Sequence, residues 1–362
     1  MLLAFELIKV AIGNLEALSR VPTDDEWKEM FVFSIKQTLV GVMFSGIEKL
    51  PKEQRPPRRL LLTWLVQTDT IRDRNKELRE SVLKVVKAFE KDGRRSVLLK
   101  GQGLALLYPS PERRMPGDID LWVEGRRDDI VRLLRQKGEN GPVVYHNMPY
   151  RLFDNVTLEV HFTPSWMNNY FTNRVLQRFF ADQQEVLFQN RVALDGGDVF
   201  VSIPTDAFNR VFILQHIYRH LFGSGIGLRQ LMDYYFVLQR GCTDAEKAET
   251  LLMLRRLHML KFTAAIMYVL GYVLGLKEEK MLVAPNVKEG QFLLSEILRA
   301  GNFGHYDDRI KIPENENKLH SFFRITKQNM RLLKHYPEET LWNPLYRAWH
   351  YCWRKYKGYP IR

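Results

Sequence analysis

The chain has 362 residues, 45% of them apolar, enough to bury the core of two domains or one elaborated one and too many for wholesale disorder. A formal net charge of +12 favours an anionic partner, whether nucleotide, nucleic acid or anionic membrane surface, without choosing among them. The two cysteines, Cys242 and Cys352, lie far apart, which excludes a disulfide framework or CxxC metal site and fits a reducing compartment.

The N-terminal run MLLAFELIKVAIG is apolar but interrupted by Glu6 and Lys9, and it has neither a basic start nor a small-residue cleavage site, so it is not read as a signal peptide. Residues 1–92 read as a helical region. Thr23 and Glu26 form a capping box ahead of an apolar helix, and PKEQRPPRR at 51–59 breaks the pattern. A long amphipathic helix fits 60–92, with Val82, Val85, Val86 and Phe89 on one face and Gly93 as its stop. From 93 to 203 the pattern becomes that of a small mixed sheet with few helices. Strands are predicted at SVLLK (96–100) and DIDLWV (118–123), a helix at 126–138 ending at Gly138, a hairpin from RLFDN and VTLEVHF with Asp154 and Asn155 in its turn, and a last strand at 198–203. Residues 204–362 read as a C-terminal helical domain, opened by Thr205 and Asp206, with helices at 228–240, 244–257 and 259–276 and a less defined tail beyond 290. The longest apolar run, 262–276, falls short of the ~20 residues needed to cross a bilayer. A buried helix, no transmembrane segment and a cytoplasmic protein are the expectation.

The chemistry concentrates in GDIDLWV. Alternate residues of a strand share a face, so Asp118 and Asp120 point together while Ile119 and Leu121 enter a core. Two adjacent carboxylates repel, and a divalent cation removes that cost; hard oxygen donors on a strand suit Mg²⁺, which also binds phosphates. Glu159 in TLEVHF is the candidate third acid, with His161 on its face. Upstream, LLKGQGLA places a glycine-rich turn between strand and helix, where Gly101, Gln102 and Gly103 can cradle a triphosphate and Lys100 or Arg114 can pair with its charge. For Arg114 a solvated loop is the competing reading. Together these parts describe phosphoryl transfer by positioning and electrostatics, with Glu159 or Asp120 helping to deprotonate an attacking hydroxyl.

At these residues the sequence resembles the polymerase-beta-like nucleotidyltransferase superfamily, and more closely its branch of uncharacterised nucleotidyltransferases. The features that carry the resemblance are Leu99-Lys100-Gly101, Arg114, Asp118 to Leu121, and Leu158, Glu159 and His161. Further on, IYRHLFGSGIGLRQLMDYYFV matches that branch's histidine-then-LRxLxD pattern and places His220, Arg229 and Asp233, so the resemblance covers roughly residues 80–240. Gln102 stands where many members carry Ser. The resemblance implies an α+β core, with N-terminal and C-terminal helical regions around it, that moves a nucleoside monophosphate from an NTP (ATP among them) to an acceptor, with two Mg²⁺ ions (Mn²⁺ as a substitute) and loss of pyrophosphate. Asp118, Asp120 and Glu159 are the expected metal ligands and catalytic residues. Lys100, Gly101, Gln102, Gly103, Arg114, His161, His220 and Asp233 are the expected nucleotide-binding set.

His216 and His220, four apart on a predicted helix, share a face; with Asp233 they suit pocket support or packing better than a metal site, because no HExxH motif is present. From Leu341 to Arg362 basic and aromatic residues interleave without an acid, which reads as a packed terminal helix ahead of a nucleic-acid surface. The leading expectation is transfer to a hydroxyl of a small molecule or protein. Nucleotide addition to an RNA 3′ end is the less favoured alternative, and a non-catalytic nucleotide-binding or interaction module is the third.

Overall fold

The computed structural model describes residues 1–194, 199–309 and 316–360. Asp198, the first residue of the expected last strand, and Arg362, the end of the basic aromatic stretch, lie outside the described residues.

Four α-helices open the chain: α1 (Leu2–Ile12), α2 (Asp24–Lys36), α3 (Val40–Lys49) and α4 (Arg58–Lys91). The capping box at Thr23 is present, with Glu26 N donating to Thr23 Oγ1 and Thr23 N to Glu26 Oε2. α4 buries Val82, Val85, Val86 and Phe89 along one face and gives way at Gly93, whose φ of +69° suits glycine.

The sheet region runs β1 (Ser96–Leu98), α5 (Gln102–Ala105), β2 (Ile119–Val123), α6 (Arg127–Gln136), β3 (Asn147–Tyr150), β4 (Leu158–His161), α7 (Tyr170–Gln189), β5 (Arg191–Ala193) and β6 (Phe200–Ser202). The strands form a mixed sheet in the order β3-β4-β2-β1-β6-β5. β2 lies antiparallel to β1 and parallel to β4, and each edge is an antiparallel hairpin. Because side chains alternate, Leu98, Ile119, Leu121, Val123, Leu158 and Val160 share one face, covered by Leu78 to Phe89 of α4 and by Ile130, Val131 and Leu134 of α6. The opposite face carries Val97, Leu99 and Trp122 into a second apolar cluster, with Leu176, Phe180 and Phe188 of α7.

After Pro204 follow α8 (Asp206–Leu221), α9 (Leu228–Gln239), α10 (Asp244–Arg256), α11 (Leu260–Val269, continued by a π turn to Leu274), α12 (Val287–Ala300), α13 (Lys318–Asn329) and α14 (Pro337–Tyr356). The result is the expected α+β arrangement, a small mixed sheet flanked by helices at both ends of the chain. Among the described residues no single helix is long and apolar enough to cross a membrane; α10 and the α11 segment reach that composition only as a pair bent by 120°.

Three local expectations need correcting. The hairpin's first strand is Asn147–Tyr150 rather than residues 151–155; Leu152 and Phe153 pack on the core from the connecting loop, so they imitate a strand without pairing. α7 interrupts the core region that was expected to hold few helices; it starts where Asn169 Oδ1 accepts from Phe171 N at 2.9 Å. β5 pairs with β6, although Arg191, Val192 and Ala193 form too short a run to signal a strand.

Candidate functional site

The chain leaves β1 and reverses at Gly101, whose φ of +59° and ψ of −116° are open to glycine. A Cβ there would lie 3.5 Å from the Asp118 carbonyl oxygen, so this turn brings the segment after β1 against the start of β2. Lys100 thereby reaches β2: its Nζ lies 3.0 Å from Asp120 Oδ2 and 3.2 Å from His216 Nε2. The next two residues turn away. Gln102 is buried and donates to Asn75 Oδ1 of α4 at 2.8 Å, and a side chain at Gly103 would meet Ile203 at 3.2 Å. Neither lines the cavity described below, because the single turn of α5 aims them at α4 and at the end of β6.

The parallel pairing of β2 with β4 sets Asp120 opposite Glu159 and Trp122 opposite His161. Asp118, two residues before Asp120, sits just ahead of the strand. Oxygens of Asp118, Asp120 and Glu159 all lie within 4.8 Å of one another. His161 is buried behind them, with Nε2 3.0 Å from Asp120 Oδ1 and 3.6 Å from Glu159 Oε2. Asn147 of β3 donates to Glu159 Oε2. His146, Glu159 and His161 form a second group with ligand atoms within 4.8 Å, so Glu159 is common to both.

The three acids differ electrostatically. The like charge of Asp120, then burial, pushes Asp118 up to about 6, although its side chain opens to the cavity. Burial opposes ionisation of Asp120, but Lys100 and His161 outweigh it and hold this carboxyl well below the usual range. Burial works against a charged His161 too, yet its bonds to Asp120 and Glu159 raise it. His146, His216 and His220 have no such partners, and burial lowers all three well below the usual imidazole value.

These groups border a cavity of about 400 Å³, within the range for small-molecule sites. Lys100, Gly101, Asp118, Asp120 and Glu159 line it from the sheet. His216, Arg219, His220, Arg229 and Asp233 line it from α8 and α9. Arg114 lines it too, with its guanidinium paired: Nε and Nη2 donate to Asp233 Oδ1 and Oδ2 at 2.7 and 2.8 Å, and Tyr108 OH donates to the same carboxylate at 2.7 Å. The pair ties the segment before β2 to α9, and both residues line the cavity. His220 packs its ring 4.4 Å from that of His216 and places Nδ1 2.9 Å from Ser224 Oγ.

Arg219, His146, Asn147 and Asn75 went unnoticed in the sequence. Asn75 is buried in α4 and donates to the carbonyls of Glu112 and Arg114, both at 2.8 Å, while accepting from Gln102. No local motif marks such long-range partners. The C-terminal aromatics divide: Tyr346 stacks on Trp166 and the Arg127 guanidinium lies over Trp353, whereas Trp349, Tyr351 and Tyr356 are exposed.

No curated protein sequence matches the chain. Among solved structures it is similar to an antigenic nucleotidyltransferase-like protein from Paracoccidioides brasiliensis, at 17% identity and a TM-score of 0.33, over 56% of this chain and 94% of that one. The family model for uncharacterised nucleotidyltransferases matches residues 23–275, from the capping box of α2 through the carboxylate strands to the end of the π turn after α11. By that match over most of its length, the chain belongs to the family of uncharacterised nucleotidyltransferases.

Proposed function

We propose that the protein transfers a nucleoside monophosphate from an NTP to a hydroxyl of a small molecule or protein, releasing pyrophosphate. The observation that supports this best is the meeting of Asp118, Asp120 and Glu159 at the wall of one cavity. Their fit to divalent ions is chemical: three hard carboxylate donors are crowded together, and the mutual repulsion that raises Asp118 is what a cation would relieve. In this reading the three acids hold Mg²⁺, with Mn²⁺ as a substitute. A bound divalent cation would supply charge neutralisation at the attacking and leaving oxygens.

The chain's own residues do the rest. Lys100 and His161 engage both oxygens of Asp120, which keeps it ionised and makes it a poor base. Glu159, half-buried and steadied by Asn147, is the better group to take the proton of the acceptor hydroxyl. Gly101 lets the backbone pass close to the acids, and His161 positions two of them at once.

The direct test is metal-dependent pyrophosphate release from each of the four NTPs, in cell extract that supplies acceptors. Asp118→Asn and Asp120→Asn should each lower the rate by at least about 100-fold, the upper end for losing even a supporting group around a metal. Full activity in either variant would sink the assignment. Salt-sensitive RNA binding with labelled 3′ ends would redirect the acceptor to RNA. NTP binding without turnover would identify a non-catalytic module. We also propose a reducing, cytoplasmic setting, for which both cysteines being free is the support.

A further inference from the structure

The cations around the cavity fall into two groups. Lys100 and Arg114 are already neutralised by Asp120 and Asp233. Arg219 of α8 and Arg229 of α9 also line the cavity, but among the described residues neither has a carboxylate within ion-pair distance. The Arg219 guanidinium lies 4.1 Å from the centre of the Trp166 ring, and its Nη2 is 3.4 Å from His216 Nδ1 and 3.3 Å from His220 Nε2. Arg229 Nη1 donates to the carbonyls of Met115 and Pro116 at 3.2 and 3.5 Å. The Nε of each arginine is buried without a hydrogen-bond partner. Burial lowers both guanidiniums, Arg219 to about 10.

Both arginines are half-buried, and holding a partly desolvated cation without a counter-ion is costly until one arrives. A guanidinium fork matches the oxygens of a phosphate, and two such forks face three carboxylates across a single cavity. That arrangement suits a ligand with several negative charges, spanning from the acids to α8 and α9.

We infer that Arg219 and Arg229 receive the polyphosphate tail of the nucleotide, an assignment that rests on the function proposed above. Lys100 and Arg114, the cations that the sequence singles out, then serve as scaffold: one orients Asp120, the other anchors Asp233.

Calorimetric titration with inorganic tripolyphosphate in metal-free buffer tests this without requiring turnover. The wild-type protein should bind, and Arg219→Gln or Arg229→Gln should each weaken binding about tenfold or more, as expected for one lost charge-assisted contact. Asp118→Asn, which removes a negative charge, should bind at least as tightly. Thermal unfolding of ligand-free Arg219→Gln should be unchanged or occur at higher temperature, because an uncompensated cation is removed; a structural arginine would give the opposite sign. No binding by the wild type, or wild-type affinity in both arginine variants, overturns the assignment. Pyrophosphate release is measured separately, so nucleotidyl transfer can survive that result. Conversely, arginine-dependent tripolyphosphate binding in a protein that turns over no NTP would leave this anion site standing and refute transfer.

Discussion

Asp118 and Asp120 are two positions apart and meet opposite environments. Asp120 is clamped between Lys100 and His161, whereas for Asp118 the like charge of Asp120 outweighs the attraction of Lys100. In the metal-free protein Asp118 should therefore take up a proton as pH falls through about 6, against 3.8 for the ordinary group. A folded value above the unfolded one favours the folded state at low pH, and that contribution is lost as pH rises through about 6. The metal-free wild type should thus lose more thermal stability between about pH 5 and 7 than Asp118→Asn does. Metal binding must displace the proton, so Mn²⁺ affinity should fall about tenfold per unit below pH 6. An affinity that stays level through that range in calorimetry would remove Asp118 from the ligand set. Much of this was legible in GDIDLWV and TLEVHF, because strand alternation and a shared face are local properties. The asymmetry between the two aspartates was not, since it depends on Lys100 reaching Asp120 and on His161, 41 residues further along the chain, bonding to Asp120 while leaving Asp118 aside.

At the scale of elements, the site is held together by contacts between segments rather than within them. The bidentate Arg114–Asp233 pair, with Tyr108, joins the loop before β2 to α9 while almost wholly out of water. Removing one member leaves an uncompensated buried charge, so Arg114→Met should cost about 3–5 kcal/mol, and Asp233→Leu in the same chain should recover much of it. Urea denaturation of the single and double variants measures both, and additive losses would refute the pairing energetics. The sequence placed both residues in the nucleotide site because each belongs to a motif there. Both do line the cavity, but their pairing could not be read, because a salt bridge across 119 residues has no sequence signal. The helices with strong caps and clean periodicity, α2, α4 and α8, were readable for the opposite reason: Thr23, Gly93 and Thr205 act within a turn or two of where they stand. α7 lacked such punctuation in the reading, and β5 is defined by its partner rather than by its own residues.

At the scale of the whole molecule, the three segments seen in the sequence share their interior. One apolar cluster contains Leu7 and Ile8 of α1, Trp64 of α4, Trp122 of the sheet, Phe212 of α8 and Ile266 of α11. Polar links cross the same boundaries. Gln37, between α2 and α3, donates to the Ile297 carbonyl at 3.2 Å and accepts from Leu228 N at 3.0 Å, and Asn14 donates to Tyr235 OH at 2.8 Å. The outer face of the sheet has α4 as a principal cover. We therefore propose that the helical N-terminal region, the sheet region and the C-terminal helices form one cooperative unit rather than separable domains. A chain starting at residue 93 would lose the helix that buries Leu98, Ile119 and Leu121, exposing the strand that carries Asp120, and should fail to accumulate as a folded monomer. In the full chain, calorimetric and van't Hoff enthalpies of unfolding should agree, with far-ultraviolet circular dichroism and tryptophan fluorescence changing together. Two resolved transitions would refute the single unit. The distinction matters for the site itself, because the acids come from the sheet and the unpaired arginines from α8 and α9. Only if the sheet and those helices fold as one is the distance between the two sets of charges fixed before a ligand arrives.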